Sequence, residues 1–301
     1  MCPMRILILR GGALGDFLVT LPALGLLRTR WPDARIELVG HASAAGLGVA
    51  GGYLDAVHSQ HEARWGALFS AASAELPSAL LVWLAEFDLI INYWPDPDGT
   101  LARCFPLRAG QQFLSAPAMP LLAPAARHFC EPLKALGLST TDFRSRLRFP
   151  AAKDFGTTAS NPGRPVAIHP GSGSPRKNWP RGHWMELMAR LEEPVLLVLG
   201  EAEMERWSAS SVADNKRIKV AINLPLPELA TALAGCRLFL GHDSGVSHLT
   251  AAVGTPCVLL FGPTDPAMWA PPGDHVRVLH RGPDLNTIGV EEVRSALSAE
   301  P

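Results

Sequence analysis

Short apolar runs that end at glycine or polar residues alternate along the chain with longer segments whose apolar positions recur at helical spacing. The run Arg5–Arg10 stops at Gly11 and Gly12, a helical pattern continues to about Arg30, and Arg35–Val39 is a further short run. Strand, glycine turn, helix and strand in this order form a βαβ unit, which predicts a parallel sheet with right-handed crossovers. Further strands are predicted at Ala56–Ser59 and Leu89–Asn92.

A second series of the same kind begins near residue 165. Polar, glycine and proline residues concentrate just before it, as is typical of a linker between domains. We therefore predict an N-terminal domain over residues 1–152, a linker over 153–164 and a C-terminal domain over 165–301. The predicted strands of the second domain are Val166–His169, Val195–Leu199, Arg237–Leu240 and Cys257–Phe261, and its predicted helices are Trp184–Leu191, Leu226–Ala234 and one from about Ser244.

Two such halves predict an α/β protein with two Rossmann-like parallel-sheet domains that face a cleft. Ligands in sheets of this type bind at the carboxyl ends of the strands, so we look for chemistry there. Hydrophobic residues make up 48% of the 301 residues and charged residues 18%, which is enough for substantial cores and too apolar for disorder. The net charge is −1 and neither half is strongly basic, which argues against a nucleic-acid binder.

Five cysteines without CxxC spacing favour a reducing compartment over a disulfide framework or a zinc site. No stretch reaches the roughly 18 uncharged apolar residues of a membrane span. Phe17–Leu27 could pass for a signal-peptide core, but Asp16 precedes it and Pro22 interrupts it. We interpret it as a helix of the fold and expect a cytoplasmic protein.

The segment Gly241–Pro266 has the strongest functional pattern. Asp243 stands where a helix N-cap is expected, and Gly245 would let a ligand approach the first turn. The N–H groups at such a helix start favour an anion, most often a phosphate. His248 lies four residues after Ser244 and points toward the same end. These residues fit either a nucleotide site or an ordinary capped crossover helix.

The glycine turn after the first strand leads to a single carboxylate, Asp16. The spacing is not GxGxxG, and no GxxxxGK[ST] motif occurs, so we infer no dinucleotide cofactor. Asp16 is either a first-turn acid that complements the helix dipole or a general base for an alcohol in a dry cleft.

The loop that follows the strand at His169 contains small residues and then the basic pair Arg176 and Lys177. Backbone N–H groups next to these cations would suit an oxyanion, although loops of this composition are usually solvated surface loops. Trp179 favours a folded, packed loop. After Val195–Leu199 come three acids, one of which could bind ribose hydroxyls, and the sequence does not rank them: Glu201, Glu203 and Glu205.

Together these segments resemble glycosyltransferase family 9, the bacterial ADP-heptose:lipopolysaccharide heptosyltransferases. Arg5–Leu24 looks like the family's N-terminal strand, loop and helix. Lys177–Pro180, followed by His183 and Trp184, looks like its central signature. The C-terminal signature is similar to Asp243–Ala252 and continues through Phe261–Pro266.

The resemblance implies a GT-B fold and an inverting, metal-independent transfer of heptose from ADP-heptose to a hydroxyl of the lipopolysaccharide inner core. It implies no cofactor beyond the nucleotide-sugar donor, a lipid-linked or glycan acceptor, and peripheral contact with the inner membrane. By position, Asp16 would be the general base and Lys177 would contact the donor diphosphate, both as catalytic residues. The implied donor-binding residues are Ala13, Ser172, Gly173, Glu203, Asp243, Ser244, Gly245 and His248.

Two features depart from the family. Asn92–Pro97 stands where many relatives have an acidic, glutamine-containing stretch, and the chain is short for the family. Both departures concern the acceptor half. Arg64 could belong to an acceptor-binding loop suited to an anionic sugar, or it could cap a helix with Trp65.

Three other functions remain open at this stage. One is a family 9 enzyme with another nucleotide sugar or glycan. A second is a catalytically silent relative that binds a nucleotide sugar, although such a binder would not need both Asp16 and Lys177. A third is a nucleotide-sugar epimerase, which would need further acid and base residues that we do not find in the sequence.

Overall fold

The computed structural model describes residues 3–69, 76–151, 163–204, 207 and 215–298. The chain divides into two compact units, Met1–Phe143 and Arg144–Pro301. Most of the predicted linker, 153–164, lies outside the described residues, so the predicted domain limits remain a prediction. No helix in the described part of the chain is long and apolar enough to cross a membrane.

The first unit is built on a five-stranded parallel sheet with the strand order β3-β2-β1-β4-β5. The central strand β1 is apolar because both faces of an inner parallel strand are covered by helices. Two strands, β3 and β4, have the bounds that the sequence predicts. The elements are β1 Arg5–Leu9, α1 Leu14–Leu18, α2 Leu21–Arg30, β2 Arg35–Gly40, α3 Ala42–Ala50, β3 Ala56–Ser59, α4 Ser78–Leu84, β4 Leu89–Asn92, α5 Thr100–Cys104, β5 Gln112–Ser115 and α6 Ala125–Cys130.

The helical pattern after the glycine turn forms two helices instead of one. The first helix, α1, ends at Leu18, and α2 begins at Leu21 with Pro22 in its first turn. A proline has no N–H to donate, so it is tolerated at the start of a helix and disfavoured inside one. The break leaves α1 as a single short turn that carries Asp16.

A buried carboxylate, that of Glu37, joins β1, β2 and β3. Its side chain is 2% exposed and lies 2.7 Å from Arg5 Nη2, 2.7 Å from Arg35 Nε and 2.8 Å from His58 Nε2. Burial disfavours the charged form, but the hydrogen bonds from His58, Arg35 and Arg5 outweigh it and lower the pKa of the Glu37 carboxyl to about 2.

We expect this carboxylate to make the first unit acid-sensitive. The pKa is lower in the folded chain than the roughly 4.3 of an unfolded one, so the stabilisation is complete above about pH 5 and is lost as the pH falls toward 2. The contribution is on the order of 2–3 kcal/mol. Glu37→Gln should reduce stability at neutral pH and flatten its acid limb in denaturant unfolding followed by tryptophan fluorescence.

The matched control for this experiment is Glu86→Gln. Glu86 also pairs with Arg5, but its side chain is 45% exposed, and exposed pairs contribute about 0–1 kcal/mol. An acid limb that is equally steep in Glu37→Gln and in the unsubstituted protein would assign the acid sensitivity to other carboxyls.

The second unit contains a six-stranded parallel sheet with the order β11-β10-β9-β6-β7-β8. Two strands, β7 and β10, and the helix α9 have the predicted bounds. The elements are β6 Val166–Ile168, α7 Arg181–Arg190, β7 Val195–Leu199, α8 Glu201–Met204, β8 Ile218–Ile222, α9 Leu226–Ala234, β9 Leu238–His242, α10 Gly245–Ala252, β10 Cys257–Phe261, α11 Pro266–Trp269, β11 Val276–His280 and α12 Val290–Ser298.

The order of this sheet brings the predicted site segments together. β6 lies between β9 and β7, and all strands are parallel, so the loops that follow these three strands leave the same edge. Lys177 and Asp243 lie in two of those loops, and Glu203 lies in the short helix α8 that follows β7.

Candidate functional site

The loop between β6 and α7 is folded and packed, as Trp179 predicts. The indole is 2% exposed, and its N–H donates to the carbonyl oxygen of Ile288 at 2.9 Å. Pro175–Lys177 forms one turn of 3-10 helix within the loop. Ser172 Oγ lies 2.6 Å from Asn178 Oδ1 and 2.8 Å from the carbonyl oxygen of Ser174. The loop that carries Lys177 therefore has a defined shape.

His242, at the end of β9, contacts both ends of this loop. The backbone N–H of Trp179 donates to His242 Nε2 at 2.8 Å, so the proton of the neutral ring lies on Nδ1. His242 Nδ1 faces the carbonyl oxygen of Gly171 at 3.3 Å. Burial lowers the pKa of His242 to about 3, so the ring stays neutral and keeps this tautomer. His242 is a positioning residue that the sequence analysis did not identify.

Lys177 and Asp243 form an ion pair across the site. Lys177 Nζ lies 3.0 Å from Asp243 Oδ2, and the two side chains are 24% and 11% exposed. The pair joins the loop after β6 to Asp243, which lies two residues before the first residue of α10. Two residues that the sequence analysis assigned to one donor site are therefore in direct contact.

The N-cap of α10 is Ser244, and the prediction that Asp243 occupies this position is wrong. Ser244 has the extended backbone of a cap, and its Oγ accepts the N–H of Ser247. His242 pairs with Leu260 of β10, so β9 extends to His242 and the helix begins later than predicted. Asp243 is left at the bend, where its carboxylate meets Lys177.

The other predicted donor residues lie around the same edge. Gly245 begins α10, and His248 is buried in its first turns. Ser172 is buried, whereas Gly173 is exposed. The assignment of these residues to donor binding remains a prediction.

Among the three acids after β7, the structure distinguishes Glu203. Its side chain is buried, and Glu203 Oε2 accepts the N–H of Gly200 at 2.9 Å. It packs so closely on Gly171 that a Cβ there would overlap the carboxylate. Glu201 is exposed, and Glu205 lies outside the described residues. Of the two described acids, Glu203 is therefore the one that contacts the loop after β6.

Asp16 is held by the turn and by a buried arginine of the first unit. Asp16 Oδ2 accepts the N–H of Ala13 at 2.9 Å, and Asp16 Oδ1 lies 3.2 Å from Arg10 Nη2. The Asp16 side chain is 39% exposed. Its carboxylate thus caps the short helix and also remains accessible to a substrate, so the two interpretations of Asp16 are compatible.

Arg10 is the positioning residue for this carboxylate, and the sequence analysis missed it. Its side chain is 5% exposed, and its guanidinium lies 4.3 Å from the centre of the Phe129 ring. Arg10 Nε donates to Thr20 Oγ1 and to the carbonyl oxygen of Asp16, both at 3.1 Å. Burial lowers the pKa of Arg10, and the neighbouring carboxylate acts against that shift.

Arg64, the predicted acceptor residue, is engaged by its neighbours. Arg64 Nε lies 2.9 Å from Glu62 Oε2. Its guanidinium lies 4.2 Å from the centre of the Trp65 ring and 5.3 Å from that of Trp83. Its assignment to the acceptor remains a prediction.

Within the described residues, no group of three or more His, Cys, Asp or Glu side chains could hold a metal ion.

The sequence of residues 131–291 matches the family model of glycosyltransferase family 9 (heptosyltransferase). Lipopolysaccharide heptosyltransferase 1 of Escherichia coli K12 is 32% identical over 117 residues, which are 38% of this chain and 36% of that relative. The chain therefore spans about a third of the length of the heptosyltransferase 1 relatives that it matches. Lipopolysaccharide heptosyltransferase 3 of the same strain is 25% identical over 285 residues, 85% of this chain and 82% of the relative.

Solved structures share the fold along nearly the whole chain. A family 9 glycosyltransferase from Veillonella parvula DSM 2008 has a TM-score of 0.77 at 21% identity, with 98% of this chain and 96% of that one covered. The E. coli heptosyltransferase WaaC with ADP has a TM-score of 0.74 at 21% identity, with 98% and 99% covered. These likenesses confirm the predicted GT-B fold with its two parallel-sheet domains. The family match, over more than half of the chain, shows that the protein belongs to glycosyltransferase family 9.

Proposed function

We propose that this protein is an inverting, metal-independent glycosyltransferase that moves heptose from ADP-heptose to a hydroxyl of the lipopolysaccharide inner core. The observation that carries the proposal is the Lys177–Asp243 pair at the start of α10, in a chain that belongs to family 9. The names of the relatives, which are lipopolysaccharide heptosyltransferases, support heptose and the lipopolysaccharide acceptor. The similar fold of the E. coli heptosyltransferase WaaC with ADP supports ADP as the nucleotide.

On the donor side, the residues of the second unit would stabilise the leaving group. As the bond between the anomeric carbon and the diphosphate oxygen breaks, negative charge collects on the departing ADP. A lysine and the N–H groups of a helix start are suited to that charge. Lys177 pairs with the carboxylate of Asp243, so the diphosphate would compete with Asp243 for the ammonium group. The buried carboxylate of Glu203 is suited to accept a ribose hydroxyl.

On the acceptor side, Asp16 would act as the general base. Its carboxylate takes the proton of the acceptor hydroxyl, and the acceptor oxygen attacks the anomeric carbon from the face opposite the diphosphate, which inverts that centre. Arg10 and the N–H of Ala13 orient the carboxylate from one side. No cofactor takes part in this scheme, and a lipid-linked acceptor would require peripheral contact with the inner membrane.

Nucleotide preference in thermal shift tests the donor assignment. Ligand at about 100 times its Kd stabilises a protein by roughly 2.7 kcal/mol, which amounts to a rise of several degrees in Tm. We expect ADP to raise the Tm well above the value reached with UDP or GDP at equal concentration. A preference for UDP would overturn the ADP-heptose assignment.

Acceptor-dependent release of ADP tests the reaction itself. The protein is incubated with ADP-heptose in the presence and absence of a Kdo-containing lipid A acceptor. Release that depends on the acceptor would establish transfer to this acceptor. Tight ADP binding without release would contradict this acceptor and favour another glycan or a catalytically silent relative.

A further inference from the structure

The segment between β5 and α6, Ala116–Pro124, forms an apolar loop at the surface of the first unit. It consists of alanine, proline, leucine and methionine alone. Of the large apolar side chains in the described part of the chain, Leu121 and Met119 are the most exposed, at 70% and 68%, and Leu122 beside them is also exposed. Single apolar residues are common on protein surfaces, but three within four positions indicate a surface that contacts something.

A buried histidine holds the backbone of the apolar loop in place. His128 Nε2 donates to the carbonyl oxygen of Pro117 at 2.7 Å, and His128 Nδ1 accepts the N–H of Leu121 at 3.4 Å. At the start of the loop, the N–H of Ala116 donates to the carbonyl oxygen of Asn92 at 3.0 Å. The backbone is thus fixed on both sides of Met119, while the side chains of Met119 and Leu121 stay outside the core.

The apolar loop lies at the same edge of the first sheet as Asp16. The loop follows β5, and the turn that leads to Asp16 follows β1. The strands are parallel, so both segments leave the carboxyl edge of the sheet. Only β4 separates β5 from β1, and neighbouring strands lie about 4.8 Å apart, which places the two strand ends roughly 10 Å apart. A lipid whose sugar reaches Asp16 has to approach this edge.

The charge around the apolar loop is positive. No acidic residue occurs between Asp98 and Glu131. Arg127, just after the loop in α6, and Lys134 share the single carboxylate of Glu131, at 3.6 Å and 2.8 Å. The segment from the loop to Lys134 therefore has one cation in excess. Cations beside exposed apolar side chains favour a surface of anionic lipid, because the headgroups attract the cations while the acyl region takes up the apolar groups.

We propose that the apolar loop inserts into the surface of an anionic lipid bilayer, with Met119, Leu121 and Leu122 in the acyl region and Arg127 at the headgroup phosphates. A protein partner fits this surface less well, because a stable protein interface covers about 800 Å² on each side and one loop presents only a few side chains. Insertion brings the carboxyl edge of the first sheet, and with it Asp16, to the membrane. The inference rests on the proposed function for its purpose, since it names the surface through which the enzyme meets a lipid-linked acceptor.

Flotation of the whole protein with lipid vesicles tests the apolar loop without donor or acceptor. The probes are vesicles of equal parts phosphatidylglycerol and phosphatidylcholine, and vesicles of phosphatidylcholine alone. We expect about fivefold tighter binding to the anionic vesicles. The double variant Met119→Gln/Leu121→Gln should bind them roughly a hundredfold more weakly, about tenfold for each apolar side chain removed from the acyl region. Its Tm should be unchanged, because both side chains are exposed.

Two further variants separate the loop from the rest of the surface. Val82→Gln is the matched control, since Val82 is 66% exposed in α4 of the same unit. It should bind both kinds of vesicle as the unsubstituted protein does. Arg127→Gln should lose most of the preference for anionic vesicles and keep its binding to phosphatidylcholine, because it changes the charge and leaves the apolar side chains in place.

Three results would each overturn the inference: no flotation with either vesicle, unchanged binding by the double variant, or an equal loss in Val82→Gln. Self-association that the double variant loses, without vesicle binding, would assign the loop to a second copy of the chain and overturn it as well. ADP binding and ADP release with a soluble, deacylated acceptor are measured on the same proteins, and the double variant should retain both. Absence of both in the unsubstituted protein would contradict the proposed function, whatever the vesicles show.

Discussion

Asp16→Asn should lower the rate of heptose transfer by about 10²–10⁴-fold and leave ADP binding nearly unchanged. A positioned general base contributes this much because the acceptor hydroxyl otherwise attacks with its proton in place. The amide keeps the shape of the side chain and an oxygen for the N–H of Ala13, which the carboxylate accepts at 2.9 Å. The measurement is acceptor-dependent ADP release at saturating ADP-heptose, together with the Kd of ADP from calorimetry.

The competing explanation is that Asp16→Asn acts through the fold, since the substitution leaves the buried guanidinium of Arg10 without its carboxylate. Thr20→Val is the matched control. Thr20 Oγ1 accepts from Arg10 Nε at 3.1 Å, so this substitution disturbs Arg10 but keeps the Asp16 carboxylate. We expect it to cost about 1 kcal/mol in stability and to retain most of the transfer rate. Equal losses of transfer in Thr20→Val and Asp16→Asn would make Asp16 a structural residue.

The sequence predicts the inner strands of both sheets and misses several at their edges. Val195–Leu199 and Cys257–Phe261 are continuous apolar runs because they are buried on both faces. Three strands were not predicted, namely Gln112–Ser115, Ile218–Ile222 and Val276–His280. All three contain polar residues and have half-buried or exposed positions, since each lies at or near a sheet edge. These three strands lack the continuous buried apolar run of the inner strands, although the edge strand β3, which is also half-buried, was predicted.

The predicted site residues lie in separate segments of the sequence, and their mutual contacts depend on the tertiary fold. Lys177 and Asp243 are 66 residues apart, and only the adjacency of β6 and β9 brings them to 3.0 Å. The roles of Arg10 and His242 were missed for the same reason. Each looks like the polar end of an apolar strand, and its function depends on a partner in another element. A signal was present in both cases, because an ionisable residue directly after a buried strand requires a specific partner.

Lys177→Met should weaken ADP binding by about 10–100-fold and abolish measurable transfer. Two effects add in this variant, since the diphosphate loses a cation and meets the carboxylate of Asp243, whose side chain is only 11% exposed. Arg176→Met is the control from the same turn of the loop. Arg176 is exposed, and we expect its removal to change the Kd of ADP less than threefold.

The double variant Lys177→Met/Asp243→Asn separates these two effects. If repulsion by an unpaired carboxylate causes part of the defect, neutralising Asp243 should restore a substantial part of the ADP affinity, although the cation is still missing. Transfer should remain lost, because no ammonium group stabilises the departing diphosphate. Calorimetric titration with ADP at two ionic strengths separates the loss of the cation from the repulsion by Asp243, since salt weakens the repulsion in the single variant. A double variant that binds ADP no better than Lys177→Met would mean that Asp243 does not face the diphosphate, and the donor site would have to lie elsewhere on this sheet edge.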